Sequence, residues 1–211
     1  MPFADELARV LPHDLPHRTR LISLGAHHLK LVEETNRVMN LTRIVSEAEA
    51  AVKHVYDSIH SWRQFQGAKV VLDVGTGAGF PGIPLALVLP ETEFVLAESV
   101  QKRARFVESA VDILGLENVT VKASRAEDLM RSRRFDFITA RAVAPLAKAV
   151  PFYAPALKQG AKILLYKGPD IETEIAEAFP ESKKRRLTIR VVERYSLPDG
   201  MGERTIVELC R

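Results

Sequence analysis

Through the first 66 residues apolar positions recur at helical spacing and never alternate as in a strand, with the clearest stripe at Val52, Val55, Tyr56, Ile59, Trp62 and Phe65. The pattern changes abruptly after Gly67. Residues 69–74 form a short, β-branched apolar run that stops at glycines, which predicts a strand buried on both faces. From there the chain alternates: strands are predicted at 69–74, 93–98, 118–123, 135–140 and 161–166. The helices between and after them are predicted to start near Pro81, to cover about 101–114 and 126–131, and to lie around 144–158 and 170–179. Residues 185–210 hold two extended segments parted by Pro198-Asp199-Gly200, a turn sequence that fits a hairpin. Strand–helix repetition with short connections implies an α/β protein with an open, mostly parallel sheet, helices on both faces and an antiparallel pair at the end. The expected division is a helical extension, residues 1–66, ahead of a sheet unit, residues 67–211.

Length agrees with that division, since 211 residues suffice for one α/β domain with an appendage but not for two full domains. A hydrophobic fraction of 46% and a charged fraction of 27% exclude a disordered chain. The first thirty residues carry Asp5, Glu6, His13, Asp14 and His17 without a long apolar run. Neither signal peptide nor membrane anchor is expected, and a cytoplasmic protein is. The single cysteine, Cys210, excludes an internal disulfide and a thiolate metal cluster. A net charge of +3 would decide little if it were evenly spread. It gathers in Lys102-Arg103-Arg105, Arg131-Arg133-Arg134 and Lys183-Lys184-Arg185-Arg186, which together favour nucleic acid over a merely solvated surface.

Gly75-Thr76-Gly77-Ala78-Gly79 follows the first strand directly, where a doubly wound sheet opens a crevice for a ligand and glycine lets backbone approach it. Pro81 suits the first turn of the next helix. A dinucleotide fingerprint needs G-x-G-x-x-G, yet position 80 is Phe and the third glycine comes one residue early. That spacing disfavours a pyrophosphate and matches the G-x-G-x-G of proteins that bind S-adenosylmethionine. Glu98 ends the second strand, 23 residues after Gly75, where a carboxylate can accept hydrogen bonds from both ribose hydroxyls. Asp73 lies beside the loop, either organising its backbone or facing the sulfonium. After the third strand, Ser124-Arg125-Ala126-Glu127-Asp128 offers an acidic partner for the adenine amine, or a helix-capping pair of Ser124 and Glu127.

Three strings from 74–84 (Val-Gly-Thr-Gly-Ala-Gly-Phe-Pro-Gly-Ile-Pro), 140–146 (Ala-Arg-Ala-Val-Ala-Pro-Leu) and Tyr166-Lys167-Gly168 resemble the ribosomal small-subunit methyltransferase G family, also called glucose-inhibited division protein B. Residues 36–42 and 54–58 of the extension are similar to that family's amino-terminal motifs, so the resemblance covers about 30–170. It implies a Rossmann-like class I methyltransferase with a seven-stranded sheet, S-adenosylmethionine as methyl donor and 16S rRNA of the small ribosomal subunit as partner, acting as a monomer without metal. The implied reaction is methyl transfer to N7 of a guanine, position 527 in the standard rRNA numbering. By the same resemblance Gly75, Phe80, Ala126, Glu127 and Arg141 bind the cofactor, beside Thr76, Gly77, Gly79 and Glu98 of the crevice. The chain departs from the family in having Ala97-Glu98 where Asp is common, and Ala140 where Ser often precedes the arginine.

Guanine N7 carries an in-plane lone pair and no proton, so the reaction needs orientation rather than a general base. The cysteine nucleophile of cytosine C5 enzymes is absent from a suitable position. The Asn/Asp-Pro-Pro-aromatic motif of amine methylation is absent after the fourth strand. Arg141 is the candidate catalytic residue, with roles open between guanine, phosphate, cofactor carboxylate and a structural ion pair. Asn36, Arg37, Asn40, Arg43, Lys53 and His54 are expected along an RNA groove, with His54 and Asp57 alternatively a packed pair fixing the extension to the sheet. Lys167 is expected either to meet phosphate or to close its strand. Two other readings are a methyltransferase of small molecules or proteins, and a non-catalytic ribosome-assembly factor.

Overall fold

The computed structural model describes residues 2–44, 46–141 and 144–211. Seven strands form one sheet: β1 (Val70–Val74), β2 (Glu93–Ala97), β3 (Val119–Lys122), β4 (Phe137–Arg141), β5 (Lys162–Lys167), β6 (Thr188–Ser196) and β7 (Glu203–Cys210). Their order is β3-β2-β1-β4-β5-β7-β6, with β1 to β5 parallel and β7 antiparallel to both of its neighbours. The order reverses between β1 and β4, the switch point at which such sheets bind ligands beyond their carboxyl ends. Successive side chains point to opposite faces. Val71, Phe94, Leu96, Leu164 and Tyr166 therefore enter one core, and Leu72, Val95, Ile138, Ile163 and Leu165 the other.

The first face is covered by the extension together with α5 (Gly82–Val88) and α6 (Gln101–Leu114). The extension comprises α1 (Pro2–Val10), α2 (Arg18–Met39) and a helical rod made of α3 (Glu47–Glu49), a π-helical stretch (Ala50–Tyr56) and α4 (Asp57–Ile59). A 3-10 turn, Trp62–Phe65, then leads into β1. In the predicted stripe Val52, Val55, Ile59 and Phe65 are buried, in one cluster with Leu7, Leu29 and Leu85. Extension and sheet thus share a continuous core. Gly25 allows α1 and α2 to meet closely, since a Cβ there would stand 3.4 Å from Leu7.

The second face carries α7 (Ala126–Ser132), α8 (Leu146–Lys158) and α9 (Ile171–Arg185). Leu146, Ala149, Val150, Tyr153, Ala154 and Leu157 line the buried stripe of α8 at helical spacing. One expectation is corrected here: α9 runs past 179, through Pro180, to Arg185. Proline costs this helix a hydrogen bond. Burial of Ala178 and Ser182 on either side of it keeps the helix going. The hairpin forms as expected, with Pro198–Gly200 as its turn and Asp199 at φ 58°.

Candidate active site at the carboxyl edge of the sheet

The loop after β1 is held from below by main chain and carboxylates. Gly75 and Thr76 donate their N–H groups to the Ala97 carbonyl at 2.9 and 3.1 Å, and Gly79 and Phe80 donate theirs to the Thr76 carbonyl at 2.9 Å. Gly75, Gly77 and Gly79 all have positive φ, at 67°, 61° and 96°, which explains the residue type at each turn of the loop. Asp73 is fully buried, and its Oδ2 accepts from Thr76 Oγ1 at 2.7 Å and from the Gly82 amide at 2.9 Å. Of its two sequence readings, the organising one is realised: a single oxygen fixes both the loop and the first turn of α5. Burial pushes the Asp73 carboxyl up to about 6, with those two hydrogen bonds acting against the shift.

Glu98 caps the same loop from the end of β2. Its Oε2 accepts from the Gly77 amide at 3.1 Å and its Oε1 from the Val100 amide at 2.8 Å. A carboxylate has about four lone-pair sites, so each oxygen retains capacity for another donor. Ala126 is buried at the start of α7 and Glu127 is half-buried beside it. The capping pair of Ser124 and Glu127 does not form: α7 begins after Arg125 with no side-chain cap, and Ser124 Oγ is buried with no partner among the described residues. Asp73 Oδ1, Thr139 Oγ1 and the Tyr153 hydroxyl are likewise buried with no partner among the described residues, and Asp73 and Thr139 are register neighbours on β1 and β4. Such atoms are costly unless a polar group meets them.

Arg141 ends β4 with its side chain 16% exposed, turned towards the extension. Nη1 donates to the Lys53 carbonyl at 2.7 Å and to Asp57 Oδ2 at 3.2 Å, and Nη2 approaches His54 Nδ1 at 3.5 Å. The guanidinium lies 5.5 Å from the centre of the Phe80 ring. The ion-pair role left open for Arg141 is therefore filled by Asp57. Asp57 also accepts from the Tyr195 hydroxyl at 2.7 Å through Oδ1, which stands 3.6 Å from Arg204 Nε. Burial, then the Asp57 charge, push the Tyr195 hydroxyl well above its ordinary range, so it remains a donor. His54 and Asp57 both grip Arg141, fixing the extension to the sheet in concert. Ala142 and Val143 of the 140–146 string lie outside the described residues.

Beside this cluster opens a cleft of about 590 Å³ between extension and sheet, lined among others by Lys53, His54, Arg141, Tyr166 and Lys167. An apolar annex of about 200 Å³ under Ala140, Phe152, Tyr153 and Leu165 adjoins it. Lys167 is committed to closing its strand: Nζ donates to the Ala144 carbonyl at 2.5 Å and to Glu174 Oε2 at 2.7 Å, and the same oxygen accepts from the Leu146 amide at 2.9 Å.

Sequence reasoning passed over His28. It sits fully buried on the apolar face of α2, and its Nε2 meets the Ala78 carbonyl at 2.8 Å, so Nε2 carries the proton. Its ring is 4.7 Å from Phe80, while His54 stacks on Phe80 at 4.4 Å and 7°. Burial lowers His28 to about 4 and His54 to about 3, so both rings are neutral at pH 7. The one available signal was a histidine among Leu21, Gly25, Leu29 and Val32, positions that share a helix face.

The profile of rRNA small subunit methyltransferase G matches residues 23–206. The Ribosomal RNA small subunit methyltransferase G of Solibacter usitatus is 62% identical over 209 residues, 99% of this chain and 100% of that protein. The chain belongs to the rRNA small subunit methyltransferase G family. Its namesake from Carboxydothermus hydrogenoformans is 38% identical, covering 88% of this chain and 81% of its own length. Among solved structures, an O-methyltransferase of Bacillus cereus in complex with SAH superposes with a TM-score of 0.60 at 20% identity, over 88% of this chain and 91% of its own. The METTL16 methyltransferase domain superposes at 0.62 with 14% identity, over 90% and 79%. These two establish the Rossmann-like class I methyltransferase fold.

In this methyltransferase G chain the expected RNA-facing residues separate into two groups. Arg37, Asn40 and Arg43 are exposed at the end of α2 and just beyond it. Asn36 instead accepts from the Thr42 amide at 2.9 Å, and Lys53 pairs with Glu49 at 2.6 Å. The basic knots separate likewise. Lys102 and Arg103 open α6 at the carboxyl edge, near the glycine loop. Arg133 is held by Glu93 at the first residue of β2, and residues 183–186 precede β6, so those two knots lie at the opposite edge.

Proposed function

We propose that this chain transfers the methyl group of S-adenosylmethionine to N7 of a guanine in 16S rRNA of the small ribosomal subunit, at position 527. The observation that carries the reading is Arg141, which lines the cleft it shares with the extension and lies 5.5 Å from the ring of Phe80, the residue that follows the positive-φ glycine loop capped by Glu98. S-adenosylmethionine supplies an electrophilic methyl on a sulfonium; the protein has to bind, orient and shield it. The residues fit that ligand. Gly75, Thr76, Gly77 and Gly79 present backbone, Glu98 has lone pairs left for ribose hydroxyls, and Ala126 with Glu127 would border the adenine. The polar atoms of Asp73, Ser124, Thr139 and Tyr153, without partners among the described residues, favour a polar occupant above the sheet at this point.

A nucleophile that brings its own lone pair suits a site in which both histidines are neutral and hydrogen-bonded and neither serves as a base. Placement in line can supply several kcal/mol. Arg141 would orient the incoming guanine while Asp57 balances its charge, so that the cationic product meets a neutral pair. The division into an extension, 1–66, that grips RNA and a unit, 67–211, that holds the donor belongs to the same proposal.

Purified protein, 30S subunits or naked 16S rRNA and a methyl-labelled donor test it. Mass-spectrometric mapping is expected to find one N7-methylguanine at position 527, lost on Glu98→Ala together with donor affinity. Label in small molecules or protein but not in rRNA would refute the substrate.

A further inference from the structure

The glycine loop is tethered mainly by its own unit: Asp73 under Thr76 and Gly82, the Ala97 carbonyl under Gly75 and Thr76, Glu98 beside Gly77. Two further tethers come from the helical extension. His28 of α2 donates Nε2–H to the Ala78 carbonyl, 50 residues away in sequence, at 2.8 Å. His54 stacks on Phe80, which the His28 ring also touches. A Cβ on Gly79 would stand 3.1 Å from the His28 ring, so loop and imidazole already touch.

We propose that His28 is a positioning residue for the methyl donor, and that the extension holds the glycine loop in its donor-binding shape through the His28–Ala78 hydrogen bond and the packing of both histidines on Phe80. The inference rests on the reading of this loop as the donor site. Its physical basis is preorganisation: if the loop spends only a fraction of its time in the competent shape, the apparent affinity falls by that fraction. A ring that merely filled the core would leave donor affinity unchanged when replaced by another ring. His28 does more, because its donor satisfies a carbonyl at the centre of the loop, between Gly77 and Gly79.

Phenylalanine keeps a ring at position 28 and removes the donor, whereas glutamine keeps an N–H at about the same reach. His28→Phe is expected to raise the Kd for S-adenosylhomocysteine, measured by calorimetry, about tenfold, the factor expected when one buried acceptor is left without its partner. The KM for the donor should rise with it, while kcat at saturating donor stays within twofold. His28→Gln should return both constants to within about threefold of the wild type. A folded Phe variant with an unchanged Kd, or a Gln variant no better than Phe, overturns the proposal. Nitrogen-15 spectra of the histidines in the unaltered chain supply a second readout that needs no variant. The His28 Nε2–H resonance is expected to move on addition of S-adenosylhomocysteine, and a resonance that stays in place while calorimetry reports binding overturns the proposal even if the Phe variant does not fold. Absence of binding to the unaltered chain would sink the donor-site reading itself, and this inference with it.

Discussion

At the scale of single residues, three buried titratable groups pull stability in opposite directions. His28 and His54 have folded pKa values of about 4 and 3, against an ordinary 6.5. Between about 4 and 6.5 the unfolded chain binds more protons at these positions, so the stability they allow at pH 7 is lost as pH falls through that window. Asp73 acts in reverse. Its pKa is raised from 3.8 to about 6, so the folded state takes up its proton first and acidification from 6 to 4 favours folding. Two histidines against one aspartate leave a net loss of stability on acidification. Asp73→Asn keeps an oxygen for Thr76 and Gly82 but removes the titration. Its melting temperature should match or exceed the wild type at pH 8 and then fall more steeply towards pH 5. Asp73→Ala leaves that hydroxyl and that amide unpaired and should cost about 2–4 kcal/mol at either pH. Parallel melting curves of Asp73→Asn and wild type across this range would rule out the sign assigned to Asp73.

At the scale of elements, the joint between the helical rod at the start of α4, β4 and the β6–β7 hairpin runs through Asp57. Arg141, Tyr195 and Arg204 converge on one carboxylate that is 2% exposed. Removing one partner of a buried pair strands the other, at about 3–5 kcal/mol. Asp57→Ala should therefore lower the melting temperature by about 10 °C in a chain of this size, and a drop under about 2 °C would show the joint to be dispensable. Arg141→Lys should fall in between, because a single ammonium cannot serve the Lys53 carbonyl, Asp57 and His54 together. This joint marks the limit of what the sequence discloses. The alternation of β1 to β5 with their helices, the closing hairpin and the loop at 75–79 are legible because spacing along the chain decides them. Asp73 and Glu98 were legible for the same reason, each standing at a strand end. Asp57 was legible as an anchor of the extension but not by its partners Arg141 and Tyr195, and His28 not at all, since Arg141, Tyr195 and the Ala78 partner of His28 lie 84, 138 and 50 residues away and only the packed fold brings them together. The helix predicted around 170–179 is too short for a related reason: Pro180 is unfavourable inside a helix, and burial of Ala178 and Ser182 overrides that local cost.

At the scale of the whole molecule, the question is which charges meet RNA. The three basic knots look equivalent along the chain, but the parallel sheet sorts them by edge. Only Lys102-Arg103 shares the carboxyl edge with the cleft; Arg37 of the extension lines a neighbouring hollow with Ile44 and His54, which also line the cleft, and Arg43 is exposed next to Ile44. At the far edge Arg133 is neutralised by Glu93 at 3.0 Å through both nitrogens, and Arg185 by Glu181 at 3.1 Å. Residues 183–185 close α9, where cations offset the helix dipole and need no ligand. Removing a cation that neutralises one phosphate should flatten the plot of log affinity against log salt by about 0.7 to 0.9. Arg37→Ala with Arg43→Ala should therefore reduce the slope for a 16S rRNA fragment by about 1.5, twice that single-phosphate value, and adding Lys102→Ala should reduce it further. Lys184→Ala with Arg186→Ala should leave it where it was. Lys53→Ala should change it little, because Glu49 already holds that ammonium at 2.6 Å. Filter binding across about 50 to 200 mM salt separates these outcomes. If the far-edge pair flattened the slope as much as Arg37 and Arg43, RNA would have to wrap around the sheet rather than enter the cleft.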